Sequence, residues 1–284
     1  MRRHSRLARG LRQRVRDTVR ALTPDRLSSF LLRVGRATMS PEGWRSHVES
    51  LEGAALDRSL HNLRRNGFAP ARIVDVGACN GGWTRPALAA FPAARSLMIE
   101  ARPDALPVLE QAARELDGRA EVAIALLGPH DREAVEFFSL EGGTGSSVLF
   151  EDSDVPRVTT RLPMTTLDRL LAARGFGAPD LVKLDVQGFE LEVLAGAGAA
   201  LRSAEVVMME VALWPYNVGA PLLPDVLAFM GDRGWAAYDI CGLTRRPQDH
   251  TLIQLDLVFV RSGSPLLANR RTTWVEEPAS SPRG

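Results

Sequence analysis

Two segments of the chain place acidic residues and glycines at the predicted ends of buried strands. The first covers residues 73–82, with the sequence IVDVGACNGG, and includes Asp75, Gly77 and Gly81. Glycine lets the backbone approach a ligand closely. A second apolar run follows one predicted helix later and stops at Glu100, whose carboxylate can accept hydrogen bonds from a ribose. A strand, a glycine turn, a helix and a strand that ends in a carboxylate predict half of a nucleotide-type site.

The spacing of the glycines narrows the choice of ligand. A dinucleotide-binding fold carries G-x-G-x-x-G to hold a pyrophosphate at a helix N-terminus. Here the pattern is D-x-G-x-x-x-G-G, with Cys79 in the turn. This pattern suits a ligand without phosphate, such as S-adenosylmethionine. The alternative is a tight turn that binds no ligand, because single glycine motifs also occur by chance.

The second segment, residues 181–190, has the sequence LVKLDVQGFE. A strand that runs into a glycine and a helix here would end at the same carboxyl edge as Gly77, where open α/β sheets bind ligands. Because side chains alternate along a strand, Lys183, Asp185 and Gln187 are expected to share one face. Polar side chains on a buried strand need partners. This face is therefore a candidate catalytic site.

Lys183 is the only lysine among the 35 basic residues of the chain. A compact ammonium and a guanidinium are not interchangeable, so its use here indicates a specific requirement at this position. The alternative is a structural ion pair at the edge of the sheet. Glu210, at the end of the next predicted strand, either pairs with Lys183 or faces the substrate. Glu190 opens the following helix, where a negative charge also favours the helix dipole.

The composition narrows the class of protein. A length of 284 residues allows one or two domains, and 45% hydrophobic with 24% charged residues is typical of a globular protein with a large core. The net charge of +1 predicts no general attraction to nucleic acid. The two cysteines provide no disulfide framework, and no apolar run is long enough to span a membrane. The cytoplasm is the expected location.

Residues 1–66 are predicted to form a basic helical N-terminal extension. The first 20 residues contain eight arginines against one acidic residue, Asp17. Apolar residues recur there at helical spacing, so residues 1–22 are expected to contact an anionic membrane surface weakly, to pack on their own domain, or to form a loosely ordered arm. An α/β domain is expected over residues 67–265. A disordered tail is expected over residues 266–284.

From residue 71 onward, strand-like and helix-like patterns alternate, which predicts a mostly parallel sheet with helices on both faces. The strands are predicted near residues 72–77, 96–100, 121–127, 181–186 and 205–211. The helices are predicted near residues 83–91, 104–117, 166–175, 190–201 and 223–233. Two further strands near 235–240 and 252–260 are joined by a polar turn, which predicts an antiparallel C-terminal hairpin.

Taken in order, these motifs resemble the FkbM family of S-adenosylmethionine-dependent methyltransferases. The resemblance covers residues 68–262, and it is carried by the two segments above with Ile99–Pro103, Gly145–Leu149, Thr166–Asp168, Ala195–Ala197 and Glu210. The chain departs from the family pattern at two places, namely at Cys79 in the glycine turn and at the pair Ala101-Arg102 between Glu100 and Pro103. The resemblance implies a Rossmann-like class I methyltransferase fold with a seven-stranded sheet.

The resemblance also implies transfer of a methyl group from S-adenosyl-L-methionine to a hydroxyl on a sugar, a glycan or another small specialised metabolite. The residues then expected to bind the cofactor are Asp75, Gly77, Ala78, Asn80, Gly81, Glu100 and Ser147. Glu100 would hold the ribose, residues 125–127 would flank the adenine, and the loop with Ser147 would close over the site. Residues 214–217 are expected to shape the acceptor pocket.

Methyl transfer to a hydroxyl needs close positioning and a base. The expected catalytic residues are Lys183, Asp185 and Glu210, with one carboxylate as the base and the lysine orienting it or stabilising an alkoxide. No metal is expected, because the sequence has no compact acidic cluster and its five histidines are scattered. The alternative is a non-catalytic cofactor-binding or scaffold protein that uses its basic arm on a membrane or a partner. The sequence predicts no oligomeric state.

Overall fold

The structure is a computed structural model, and it describes residues 55–140, 145–246 and 248–268. Its strands are β1 (Arg72–Val76), β2 (Arg95–Glu100), β3 (Ala120–Ile124), β4 (Leu126–Leu127), β5 (Arg132–Ser139), β6 (Val158–Thr165), β7 (Leu181–Leu184), β8 (Val206–Ala212), β9 (Trp235–Arg245) and β10 (Leu252–Arg261). Seven of them form one sheet in the order β3-β2-β1-β7-β8-β10-β9.

Helices separate most of the consecutive strands of the main sheet along the chain. They are α1 (55–65), α2 (Thr84–Ala90), α3 (Leu106–Glu115), α4 (Leu167–Arg174), α5 (Glu190–Ala195), α6 (Gly198–Ser203) and α7 (Leu223–Asp232), with 3₁₀ turns at Pro103–Ala105 and Pro265–Leu267. In the described part of the chain, every helix is too short or too polar to cross a membrane.

The sheet is parallel in its first five strands and antiparallel at one end. β3, β2, β1, β7 and β8 pair in parallel, whereas β10 runs antiparallel to both β8 and β9. The central strands β1 and β7 are almost continuously buried, as expected for parallel strands covered on both faces. The predicted seven-stranded, mostly parallel sheet with a C-terminal antiparallel hairpin is confirmed.

A second, three-stranded sheet in the order β4-β6-β5 was not predicted. The apolar run over 121–127 suggested one strand, but it divides at Ala125. Leu126 and Leu127 leave the main sheet and pair with Met164 and Thr165 of β6. Pairing of a two-residue strand with a distant partner leaves no periodic pattern in the sequence, which explains the difference.

The helix predicted over 190–201 is two helices, α5 and α6. The chain changes direction at Gly196, where an added Cβ would lie 2.1 Å from the main-chain oxygen of Gly128. Asp168 then accepts hydrogen bonds from the main-chain N–H groups of Ala199 (2.7 Å) and Ala200 (2.9 Å) and caps the start of α6. Contact between two backbones, rather than local propensity, determines this break.

The packed part of the fold begins before residue 67 and continues past residue 265, the two bounds predicted for the α/β domain. Leu60 and Leu63 on α1 have no exposed surface and belong to the same apolar core as Leu88 and Met98. Leu266 is also buried. The other predicted features of the N-terminal extension fall on residues 1–54, and most of the predicted tail falls on residues 269–284; both lie outside the described residues.

Candidate active site

A cavity of about 530 Å³ opens at the carboxyl ends of β1, β2 and β7. Gly77, Glu100 and Asp185 follow or end these strands and line it, and Glu210 on β8 lines it as well. Ligands of open α/β sheets bind at this edge. The fold therefore brings the two segments that carry the sequence motifs into one cavity.

Gly77 brings the ends of β1 and β7 together. Its φ is +75°, and a Cβ at this position would lie 1.8 Å from the main-chain oxygen of Asp185. No other residue type fits both this conformation and this approach. The glycine therefore fixes the distance between the two strand ends that form the wall of the cavity.

Glu100, at the end of β2, is held by the main chain on both sides. Its Oε2 accepts a hydrogen bond from the N–H of Cys79 at 2.9 Å, and its Oε1 accepts one from the N–H of Arg102 at 3.1 Å. Each carboxylate oxygen has a further lone pair. Because Glu100 also lines the cavity, it is a fixed acceptor suited to the hydroxyl groups of a ribose.

The wall next to Glu100 is apolar. Ile99 and Phe137 contribute to it, together with residues 125–127. Apolar side chains beside a fixed hydroxyl acceptor suit a nucleoside, which has an apolar base face and a polar sugar. This is the region that the resemblance assigned to the adenine.

Lys183 is buried between two aspartates. Its Nζ lies 3.3 Å from Asp75 Oδ1 and 3.3 Å from Asp185 Oδ2, and it donates a hydrogen bond to the main-chain oxygen of Gly77 at 3.2 Å. Burial by itself would lower the pKa of Lys183, but the charges of Asp185 and Asp75 outweigh burial and raise that pKa above its usual value. The hydroxyl of Thr84 donates to Asp75 Oδ2 at 2.6 Å. Lys183 therefore stays cationic and acts on the cavity through Asp185.

Asp185 and Glu210 are joined by the side-chain amide of Gln187. Its Nε2 donates to Asp185 Oδ1 at 3.0 Å and lies 2.9 Å from both carboxylate oxygens of Glu210. Burial would raise the pKa of Asp185, but the ammonium of Lys183 holds it below its usual value. Burial, and then the charge of Asp185, raise the pKa of Glu210 well above its usual value. Asp185 is therefore the first of the two to ionise, and Glu210 is the stronger proton acceptor of the pair.

Glu190, at the start of α5, supports the turn between Asp185 and the helix. Its Oε1 accepts hydrogen bonds from the main-chain N–H groups of Val186 (2.9 Å) and Gly188 (3.2 Å). Burial raises the pKa of Glu190 to about 7, although these N–H groups favour the ionised form. Its role in this structure is to hold the main chain of the site.

Ser147 also holds this turn. Its hydroxyl donates to the main-chain oxygen of Gln187 at 2.9 Å and accepts from the N–H of Leu149 at 3.0 Å. The Ser146 hydroxyl accepts from the N–H of Leu140 at 3.4 Å. Both serines line the cavity. Here their hydroxyls bond to the protein main chain, whereas the resemblance implied that the loop with Ser147 would close over the site and that Ser147 would bind the cofactor.

The predicted site residues form two groups. Those that line the cavity are Gly77, Glu100, Ser147, Asp185 and Glu210. Those that do not line it are Asp75, Ala78, Asn80, Gly81 and Lys183. Asp75 and Lys183 support Asp185 from within the sheet, as described above.

The remaining residues of the glycine turn shape it from outside the cavity. Ala78 is buried in the core. Asn80 is exposed, and its Oδ1 accepts a hydrogen bond from the N–H of Gly82 at 2.9 Å. Gly81 has a φ of +74°, and a Cβ there would lie 3.0 Å from the Cβ of Ala112 on α3. These three residues set the path of the turn rather than the surface of the cavity.

Residues outside the predicted catalytic and cofactor-binding sets complete the site. The hydroxyl of Tyr216 lies 3.0 Å from Gln254 Oε1 and 3.4 Å from Glu210 Oε1, and burial raises its pKa. Tyr216 belongs to the segment expected to shape the acceptor pocket. Gln254 and Thr244, which also line the cavity, lie on the C-terminal hairpin and carry no sequence signal. Within the described ranges, no three acidic, histidine or cysteine side chains are grouped to hold a metal ion.

The fold is distantly similar to several solved structures. A cofactor-bound protein from MTB, Rv0187, is 15% identical, with 85% of this chain and 98% of that chain covered and a TM-score of 0.46. The precorrin-6y C5,15-methyltransferase from Geobacter metallireducens is 11% identical (72% and 86% covered, TM-score 0.41). An O-methyltransferase family protein from Burkholderia thailandensis is 14% identical (74% and 56% covered, TM-score 0.42). These likenesses are too distant to indicate an acceptor.

Curated proteins give no significant match to the chain. The family comparison is decisive. The family described as the methyltransferase FkbM domain matches residues 75–236, which include all but the first two residues of the two motif segments and every predicted catalytic residue. Its range runs from the aspartate of β1 to the start of β9. The chain is therefore a methyltransferase that uses a methyl-donor cofactor, and it belongs to the FkbM methyltransferase family.

Proposed function

We propose that the chain transfers a methyl group from S-adenosylmethionine to a hydroxyl oxygen of an uncharged sugar, glycan or small polyhydroxylated metabolite. The proposal rests on the residues that line one cavity. It combines a fixed acceptor for a ribose, Glu100, with a carboxylate pair, Asp185 and Glu210, suited to an acceptor hydroxyl.

The residues present fit this donor. Glu100 would accept hydrogen bonds from the ribose, and Ile99 and Leu127 would pack on the adenine. The glycine turn at Gly77 allows the main chain to approach the amino-acid part of the ligand. When bound, S-adenosylmethionine supplies an electrophilic methyl group carried by a sulfonium.

The acceptor side of the cavity favours an uncharged, hydroxyl-rich molecule. Asp185 and Glu210 line the cavity, and so does Glu151, whose carboxylate is paired with the guanidinium of Arg157. Among its described lining residues Arg102 is the one cation, and its guanidinium lies 3.9 Å from Glu100 and 3.8 Å from Asp104. A phosphate or carboxylate on the acceptor would therefore be repelled. Hydroxyl groups, in contrast, can donate to these carboxylates.

A hydroxyl that accepts a methyl group must lose its proton, and Glu210 is the base that we assign. A carboxylate with a raised pKa is the stronger base once it is ionised. Asp185, held ionised by Lys183, would orient the hydroxyl and maintain the raised pKa of Glu210. Lys183 supports this arrangement without contacting the acceptor.

Calorimetry tests the donor and labelled methyl transfer tests the acceptor. We expect both S-adenosylmethionine and its demethylated product to bind. With tritium-labelled donor, neutral oligosaccharides and polyols should be methylated on oxygen, and the corresponding phosphate esters should react at least tenfold more slowly. No heat with either form of the donor would refute the proposal, as would label found only on nitrogen or carbon.

Two variants test the carboxylates. Asp185→Asn and Glu210→Gln should each lower methyl transfer about 100-fold or more, the usual size of a general-base contribution. Affinity for the demethylated donor should change less than about threefold, because neither residue is assigned to the ribose or the adenine. Glu121→Gln, at an exposed position on β3, is the matched control. Wild-type turnover in both carboxylate variants would contradict the assignment of the base.

A further inference from the structure

Gln187 has an unusual main-chain conformation for its residue type. Its φ is +57°, in the left-handed region that non-glycine residues adopt rarely, and Gly188 follows with a φ of +93°. Such a conformation persists only where the surrounding structure enforces it. The contacts of this turn show what enforces it and what it achieves.

Side chains from three separate segments hold the turn. The main-chain oxygen of Gln187 accepts hydrogen bonds from the Ser147 hydroxyl at 2.9 Å and from Asn217 Nδ2 at 2.9 Å. On the other side of the turn, Glu190 Oε1 accepts from the N–H groups before and after Gln187. Ser147 and Asn217 are 1% and 2% exposed, and Glu190 is 3% exposed. The backbone of Gln187 is thus held rigidly from both sides.

The rigid turn directs the Gln187 amide between two carboxylates. An amide nitrogen has two hydrogens. In this site, the nitrogen lies 3.0 Å from Asp185 Oδ1 and 2.9 Å from the oxygens of Glu210, so each carboxylate can receive one of them. Two carboxylates that share a neutral donor can lie close together with less mutual repulsion.

We propose that Gln187 is a positioning residue that joins Asp185 and Glu210 into one proton-accepting unit, and that Ser147, Asn217 and Glu190 hold it in that position. This inference rests on the proposed function, because the unit would take the proton of the acceptor hydroxyl. It adds a residue that touches neither the donor nor the reacting oxygen in the assigned mechanism. A glutamate at this position would add a third charge and donate no hydrogen bond.

Three substitutions separate the donor property of Gln187 from its size. Gln187→Met keeps the length and loses both hydrogens. Gln187→Asn keeps the amide on a stem that is shorter by one methylene. Gln187→Glu keeps the shape and replaces the donor with an acceptor. Gln111→Met, at an exposed position on α3, is the control for the substitution itself.

The first readout is a carbon-13 NMR titration of the side-chain carboxyl groups, which needs no acceptor. Loss of a donor to the ionised forms should move the titration of the Asp185–Glu210 pair to higher pH in Gln187→Met. The shift should be larger in Gln187→Glu and absent in Gln111→Met. Ser147→Ala loosens the turn and should give a smaller shift in the same direction. It serves as the test if Gln187 variants do not fold.

The second readout is the pH profile of methyl transfer. In Gln187→Met, the acidic limb should move to higher pH and kcat should fall at least tenfold, while affinity for the demethylated donor stays within about twofold of wild type. Gln187→Asn should show the same displaced acidic limb as Gln187→Met, because its shorter side chain cannot place the amide within reach of both carboxylates. A purely structural role would lower the free energy of unfolding without moving the limb.

These results distinguish the two proposals. An unchanged titration in folded Gln187→Met and Ser147→Ala would overturn the role of Gln187, whatever the activity. A shifted titration in a protein that binds no donor would leave the joined carboxylates in place and refute the proposed function instead.

Discussion

Asp75 and Lys183 occupy paired positions on the neighbouring parallel strands β1 and β7, and their charged groups meet at 3.3 Å. Asp75 has no exposed surface, and the Lys183 side chain is 9% exposed. The one lysine of the chain thus links the first motif to the second inside the sheet. A longer, forked guanidinium presents a different shape and donor geometry from this ammonium.

Removal of the Lys183 charge is expected to destabilise the fold. In Lys183→Met, Asp75 becomes a buried carboxylate without a cation, so we expect a loss of about 3–5 kcal/mol in the free energy of unfolding. Urea titration monitored by circular dichroism measures it. The double variant Lys183→Met/Asp75→Asn removes both charges and should recover more than half of the loss. A single variant that unfolds at the wild-type urea concentration would contradict a structural role for the pair.

Gly77→Ala is expected to separate the ends of β1 and β7. The new Cβ would meet the main-chain oxygen of Asp185, which cannot move without disturbing β7. Gly67→Ala is the matched control, because Gly67 has a φ of +95° with no atom near its Cβ position. The control should lose about 1–2 kcal/mol from the conformation alone. Gly77→Ala should lose at least about 2 kcal/mol more, or fail to fold. Equal losses in urea titration would show that the close approach has no consequence.

Glu100→Gln is expected to weaken donor binding without loss of fold. The amide oxygen can replace one carboxylate oxygen, whereas the amide nitrogen would be turned towards either a main-chain N–H or the ribose. A hydrogen bond to a charged group contributes about 1.5–3 kcal/mol, so affinity for the demethylated donor should fall at least about tenfold. Calorimetry measures this, with the exposed Glu115→Gln as control. Unchanged affinity would remove Glu100 from the ribose site.

The buried carboxyl of Glu190 predicts a pH dependence of stability. Its pKa rises from 4.5 to about 7 on folding, so between these values the folded state retains a proton that the unfolded state has lost. The free energy of unfolding therefore decreases as pH rises through this window, by about 3 kcal/mol from this group. The stabilisation is fully present below pH 4.5 and is gone above pH 7.

Glu190→Gln removes the titrating carboxyl group and keeps a side-chain oxygen that can accept from the N–H groups of Val186 and Gly188. Urea titrations at pH 4.5 to 7.5 should therefore show a smaller fall in stability for this variant than for wild type. Glu192→Gln, at an exposed position on the same helix, is the control. The same slope in wild type and Glu190→Gln would mean that Glu190 is ionised throughout this range.

Much of the fold followed from local patterns. The alternation of apolar runs and helical segments predicted the parallel sheet, and the polar turn between two adjacent apolar runs predicted the hairpin. Local sequence patterns did not predict the features that depend on contacts between residues far apart in the sequence. Leu126 and Leu127 pair with β6, and Gly196 breaks a helix against Gly128, because pairing and backbone approach depend on residues far apart in the sequence.

Residue types and their order along the chain predicted the two motifs of the candidate site. Glycines at a strand end, an acid after the next strand, and a single lysine beside Asp185 indicated both motifs, because these residue types leave a local signature. Which of these residues face the cavity follows from the packing of strands and turns. In the structure, Lys183 and Asp75 lie within the sheet, where the lysine contacts Asp185. The side chains of Gln187 and Tyr216 contact the carboxylates, and Gln254 contacts Tyr216. Side-chain direction and proton sharing depend on how strands and turns pack, and no local pattern encodes that packing.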